Sequence, residues 1–215
     1  KHYAVKYADA VTQSYHPVKH ITTGEGGAIL TNNSEIDEKV RSLRTHGITK
    51  NPDKLENGGG PWYYEMHELG YNYRITDIQC ALAISQMDKI DMFLAARRSM
   101  AKFYDQGFAE VPNITPLQDH GRNNSSHHVY LVKIDFENIG ISRHQFMQKL
   151  ADHGVGSQVH YIPVVSQPYY QDMGYDIKNY PVVERYYQNT LSIPLYYGLS
   201  DLEQEFVISS INDLL

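Results

Sequence analysis

The chain has 215 residues, 41% of them hydrophobic and 20% charged, with a formal charge of −6 at pH 7. That is enough for one full domain, or a small domain with part of another, and the composition is globular rather than disordered. Lys and Arg form no basic run and no apolar stretch approaches the roughly 20 residues that span a bilayer, so neither nucleic acid nor a membrane is an expected partner.

Lys1-His2-Tyr3 opens without methionine and runs at once into strand-like sequence, an expectation that further sequence lies upstream. Thr12–Tyr15 and Gly27–Thr31 read as short strands separated by the glycine turn TTGEGG. Two short strands do not make a stable sheet alone, so they are expected to join others. Ser34, with Asp37 three residues on, is the expected cap of a helix carrying Ile36, Val40 and Leu43 and ended by Gly47. Residues 48–75 read as a long irregular segment, rich in glycine and aromatics, and such segments are usually functional.

Thr76 and Gln79 form a capping box that opens a long helical region, with a break expected near Lys89–Asp91 and Gly107 near its end. Its aliphatic and Met positions, among them Ile78, Leu82 and Met87, are expected in core or subunit contact. Strands are expected at His127–Phe136 and Val155–Val164, with a helix from the Ser142/Gln145 box through Leu150 between them. A helix from Pro181, the strand LSIPLY and a last helix capped by Ser200 and Glu203, carrying Leu202, Phe206 and Ile211, complete a small α/β domain.

Cys80 is the single cysteine and has no internal disulfide partner; with no secretory signal at the start, the cytoplasm is the expected compartment. No metal site is expected. Tyrosine (18) and histidine (11) are abundant, and clusters such as Trp62-Tyr63-Tyr64, His160-Tyr161 and Pro168-Tyr169-Tyr170 offer aromatic faces with polar tips, suited to a nucleotide ligand.

SYHPVKHITTGEGGAILTN is the most informative stretch. Lys19 lies between two strands, just after Pro17 and before a turn whose glycines allow close backbone approach to a ligand. A lysine held still and partly desolvated can lose its proton, and only the neutral amine condenses with an aldehyde.

The segment resembles the active-site signature of the DegT/DnrJ/EryC1/StrS sugar aminotransferases: Ser14, Tyr15, His16 and Lys19 stand ahead of ITTGEGG. A second signature is present as Asn72-Tyr73-Arg74 leading into Thr76–Gln79, and a third as Gln158–Tyr161 with Pro163. The similarity runs from about residue 10 to the last helix. It implies an α/β chain that forms the C-terminal portion of an aspartate-aminotransferase-like (fold type I) pyridoxal phosphate enzyme. Residues 1–75 would be the remainder of the large domain, 76–111 a linking helical region and 112–215 the small domain. The stretch GGPWYYEMHELGYNYRITDIQ narrows the resemblance to the branch of pseudaminic acid synthesis. There a UDP-linked 4-keto-6-deoxy sugar would take its amino group from L-glutamate, leaving 2-oxoglutarate.

The resemblance implies that Lys19 holds pyridoxal 5'-phosphate and then moves protons; relatives with histidine there act as dehydratases, so lysine favours transamination. Ser14 would bond the cofactor phosphate, as would Asn72 from a neighbouring subunit, which makes the expected unit a homodimer with a shared site. Arg74 would pair with the substrate diphosphate, and His16, Gln158, Val159, His160 and Tyr161 would line the sugar-nucleotide pocket. Trp62 and Tyr63 would contact substrate or anchor the long loop. The family's phosphate-cradling turn, ring-stacking aromatic and pyridine-pairing aspartate lie upstream of the lysine and have no counterpart in this chain. Asp9 is too close to Lys19 to serve. The isolated chain is therefore expected to bind cofactor weakly. Two alternatives are a catalytically silent module that contributes to dimerisation and cofactor binding, and an aminotransferase for another nucleotide sugar.

Overall fold

The structure, a computed structural model, describes residues 4–117 and 125–215; the opening tripeptide noted above lies outside them. The chain divides into a first unit that runs to Ile90 and a second from Asp91 to Leu215. No helix among the described residues is long and apolar enough to cross a membrane.

In the first unit β1 (Ala10–Ser14) and β2 (Gly27–Thr31) pair antiparallel, with Ala10 opposite Thr31 and Ser14 opposite Gly27. The ladder starts two residues earlier than the sequence suggests, and Ser14 rather than Tyr15 is its last paired residue. Helix α1 (Ser34–Leu43) is capped one residue before the expected Ser34. Asn33 Oδ1 accepts from the N–H groups of Glu35 (2.8 Å) and Ile36 (3.3 Å). An Asn caps as well as a Ser, and Asp37 is instead drawn into an i,i+4 pair with Arg41 at 2.8 Å.

The segment 48–75 is largely irregular, as read, but it is hooked down by β3 (Ile48–Thr49) and β4 (Glu65–Met66), which pair antiparallel. The loop between them is organised by one carboxylate. Glu65 accepts from the N–H groups of Glu56 (2.8 Å) and Asn57 (2.7 Å), from the Tyr63 hydroxyl (2.9 Å) and from His67 Nε2 (2.7 Å). These bonds, that from His67 foremost, pull the Glu65 carboxyl down to about 2. Tyr63 thus anchors the loop, whereas Trp62 is 76% exposed.

Helices α2 (Asp77–Met87) and α3 (Ile90–Gly107) flank a break at Asp88–Lys89, and the Thr76/Gln79 capping box forms as expected. Their apolar residues divide sharply. On α2 Ile78, Ile84 and Met87 are exposed, while on α3 Met100, Ala101 and Tyr104 are buried.

The second unit is built on an antiparallel sheet in the order β5 (Ile114–Pro116), β6 (Tyr130–Ile134), β7 (Thr190–Ile193). The first of these was not anticipated. β6 is shorter than expected because Asp135 caps a short helix, α4 (Phe136–Ile139). The strand expected at 155–164 does not form. Gln158 makes a single bridge to Ser192, Val159 turns its N–H onto the Gln158 side-chain oxygen (2.8 Å), and Pro163 has no N–H to donate.

Helices α5 (Arg143–Asp152), α6 (Pro168–Gln171), α7 (Pro181–Asn189) and α8 (Asp201–Asn212) complete the unit, with the Ser142/Gln145 and Ser200/Glu203 boxes in place. Leu202 and Phe206 prove to be exposed; α8 buries Gln204, Val207 and Ile211, which share a face at spacings of three and four. The core gathers Tyr104, Phe108, Tyr130, Val132, Ile134, Phe146, Leu150 and Leu191. Arg97 is buried beside it, and its Nη1 donates to the carbonyls of His127 (3.1 Å), His128 (3.1 Å) and Leu195 (3.2 Å).

Two outcomes follow for the first unit. Gly47 has φ +66°, and a Cβ there would run into the Glu68 carbonyl; Gly24, with φ +79°, has open space around it. Gly24→Ala is expected to cost about 1–2 kcal/mol for its left-handed backbone alone, and Gly47→Ala clearly more, read from denaturation midpoints. The Glu65 pKa lies below its ordinary unfolded value of about 4.3, so the stabilisation is full above that value and is lost as pH falls towards about 2. An acid titration from about pH 5 to 2 should show a change in Trp62 fluorescence, and Glu65→Gln should abolish that transition.

Candidate functional site

The first of the expected site segments leaves the sheet at Ser14. The Tyr15 N–H donates to the Gly26 carbonyl (2.9 Å), and the Tyr15 carbonyl accepts from both the Thr22 hydroxyl (3.0 Å) and the Thr23 N–H (3.0 Å). Residues 16–22 therefore form a loop closed at its neck. Within it the Lys19 N–H donates to the His16 carbonyl (2.9 Å), and buried Ile21 and Thr23 anchor the exit. Lys19 is half-buried on this loop.

The turn beyond it is locked by its own side chains. The Thr23 hydroxyl donates to the Glu25 carbonyl (2.7 Å), and the Gly24 N–H donates to the Thr22 hydroxyl (2.9 Å). Gly26, at φ +153°, lies where a Cβ would strike the Thr23 hydroxyl, so only glycine permits this close approach. His16 stands over the turn. Its Nδ1 accepts from the Val18 N–H (3.4 Å) and its Nε2 is 3.9 Å from the Glu25 carboxylate. The Ser14 hydroxyl accepts from the His16 N–H (3.4 Å), and among the described residues its own proton has no acceptor.

The second segment is clipped to the end of α1. The Tyr71 N–H donates to the Leu43 carbonyl (2.6 Å), the Tyr73 N–H to the Arg44 carbonyl (2.9 Å), and the His46 N–H to the Tyr71 carbonyl (2.8 Å), while Asn72 bridges Thr45. The rings of Tyr71 and Tyr73 stack at 4.8 Å on either side of Asn72 in sequence. Asn72 and Arg74 are exposed, and among the described residues neither the amide nor the guanidinium has a hydrogen-bonding or ionic partner. Backbone bonds thus fix where these two side chains start and leave their polar ends open. The turn and this segment meet, since Ile75 Cδ1 is 3.1 Å from the position a Cβ on Gly26 would take.

In the second unit Gln158, Val159, His160 and Tyr161 follow one another at the edge of β7. The Gln158 N–H donates to the Ser192 carbonyl (3.1 Å), and the Gln158 carbonyl accepts from the Ser192 N–H (2.8 Å) and hydroxyl (3.2 Å). Val159 and His160 are half-buried; the Tyr161 ring is exposed and edge-on to His160 at 4.6 Å. The Glu65 and Gln79 side chains, whose bonds order the long loop and the turn, were not singled out for those roles by sequence reasoning. The capping-box register drew attention to Gln79 alone, and only for its helix.

Residues 2–212 match the model of the DegT/DnrJ/EryC1/StrS aminotransferase family. The chain is 35% identical to the spore coat polysaccharide biosynthesis protein SpsC of Bacillus subtilis (strain 168), over 96% of this chain and 54% of that protein. It is also 35% identical to the UDP-4-amino-4,6-dideoxy-N-acetyl-beta-L-altrosamine transaminase of Campylobacter jejuni (serotype O:2), over 98% of this chain and 53% of that one. Among solved structures, the sugar aminotransferase Spr1654 from Streptococcus pneumoniae in its PMP form superposes with a TM-score of 0.85 at 31% identity, covering 96% of this chain and 53% of that chain. Its PLP form gives the same TM-score. The chain spans about half the length of the curated relatives it matches. A fold shared with Spr1654 and a family match over nearly every residue agree with the three motifs located above, and the chain belongs to the DegT/DnrJ/EryC1/StrS aminotransferase family.

Proposed function

We propose that this chain belongs to a pyridoxal-phosphate-dependent enzyme that moves an amino group from L-glutamate to a nucleotide-linked 4-keto-6-deoxy sugar. The observation that carries the reading is Lys19, a half-buried residue on a loop whose neck is closed at the Tyr15 carbonyl, with an open hydroxyl at Ser14 before it. The donor set fits the cofactor. A primary amine bonds its aldehyde, and the Ser14 hydroxyl and the Asn72 amide, each with protons not taken up by other described residues, suit phosphate oxygens.

When bound, the cofactor supplies an electron sink. The protein supplies position and proton transfer. The Nζ of Lys19 takes the proton from Cα of the amino donor, and in the second half of the cycle it delivers a proton to C4 of the sugar. Arg74 pairs with the substrate diphosphate through its planar fork, which its lack of a partner among the described residues favours. His16 contacts the sugar nucleotide, and the segment Gln158, Val159, His160 and Tyr161 is a separate candidate for such contacts.

Asn72 serves the cofactor of a second copy, so the working unit is a homodimer, and its compartment is the cytoplasm. A UDP-linked sugar of the pseudaminic acid route is the narrower reading, supported by similarity to the Campylobacter transaminase. A different nucleotide sugar is the second reading, favoured by equal identity to the spore coat protein.

Lys19→Ala in the intact protein should abolish the pyridoxal phosphate adduct that borohydride fixes, and should slow transamination of nucleotide 4-keto sugars by about 10³-fold or more. A variant that still converts ketone to amine would remove Lys19 from this role.

A further inference from the structure

One side chain joins the turn that follows Lys19 to the helix that follows Arg74. Gln79 is the third residue of α2, and its amide oxygen accepts from the Thr76 N–H (3.0 Å) and the Thr76 hydroxyl (3.1 Å). The nitrogen of the same amide donates to the Glu25 carbonyl at 2.7 Å, 54 residues away in sequence. That carbonyl also accepts from the Thr23 hydroxyl, so the long-range bond lands in the middle of the 22–27 turn. Helix capping does not call for glutamine here. A glutamate completes the same box through its carboxylate oxygen, but it has no N–H to give to Glu25.

We propose that Gln79 is a positioning residue. Its amide N–H holds the turn that closes the Lys19 loop in register with the segment that carries Asn72 and Arg74. The Tyr15 carbonyl fixes the neck of the loop, and the β1–β2 ladder fixes the strands on either side. The outer part of the turn, from Gly24 to Gly26, is also met by the Tyr15 N–H at the Gly26 carbonyl, by His16 beside the Glu25 carboxylate and by the packing of Ile75, but its Glu25 carbonyl is bonded from outside the turn by Gln79. Losing the Gln79 bond leaves the ladder whole and loosens the turn alone. The functional half of this inference rests on Lys19 being the reacting amine; the structural half does not.

Two substitutions in the intact protein separate the roles. Gln79→Glu keeps the cap and removes the donor to Glu25. Thr76→Ala removes the capping hydroxyl and leaves the Gln79 amide in place. With Gln79→Glu, backbone amide exchange in peptides covering residues 22–27 should rise about tenfold, the loss expected for one hydrogen bond. The yield of borohydride-fixed pyridoxal phosphate on Lys19 at limiting cofactor should fall with it, and the melting temperature should drop by no more than the loss of one hydrogen bond allows. Thr76→Ala should lower the melting temperature and leave both other readouts unchanged. Unchanged exchange at 22–27 in Gln79→Glu would overturn the proposal. So would faster exchange without a fall in the Lys19 yield, or a Thr76→Ala variant that behaves like Gln79→Glu. If Lys19 takes no cofactor in the unsubstituted protein, the proposed function fails, and the exchange comparison alone then decides the role of Gln79.

Discussion

The carbonyl oxygen of Tyr15 uses both of its lone pairs on residues seven and eight positions ahead. That one acceptor converts a stretch of chain between two strands into a loop with a fixed neck. The arrangement constrains everything around Lys19. A long, flexible side chain gains little precision from its own rotamers, so its reach must be set by the backbone that carries it. Pro17 limits the backbone on the near side, and buried Ile21 and Thr23 hold the far side against the unit.

The two units achieve order by different physics. Among the described residues Ile21 is the one buried hydrophobic side chain of the first unit, which is fastened chiefly by polar bonds at Tyr15, Asn33, Glu65 and Gln79. Each such bond contributes about 1 kcal/mol net, and several of them involve charge. The second unit is held by a contiguous apolar core, with Tyr104 and Tyr130 packed at 4.9 Å between ring centres. Its stability should respond to temperature through the hydrophobic effect, whereas that of the first unit responds more to pH.

Capping boxes were the most legible feature of the sequence. The three with Glu or Gln at the third position, at Thr76, Ser142 and Ser200, form as read, because the bond pattern is set by two residues at a fixed spacing; the Ser34/Asp37 reading failed, Asn33 taking the cap and Asp37 pairing with Arg41. The helix break at Asp88–Lys89 and the strand at Thr190–Ile193 were legible for similar local reasons. What failed was decided by tertiary context. The apolar run around Gln158 has strand propensity but finds only a single bridge on Ser192, and the apolar positions Leu202 and Phe206 lie off the buried face of α8. Of the candidate site, the motif residues were visible as a pattern. The Glu65 and Gln79 bonds were not, because each reaches across a loop whose path no local rule fixes.

Arg97 adds a consequence for local opening. It is a buried cation with no carboxylate partner among the described residues, and burial lowers its pKa from the ordinary guanidinium value. Its three acceptors come from loops 30 to 98 residues distant along the chain. The guanidinium is sheltered from water only while both loops stay closed on it, so its burial ties together segments far apart in the chain: a local opening of either loop exposes a charge that the other loop alone does not cover.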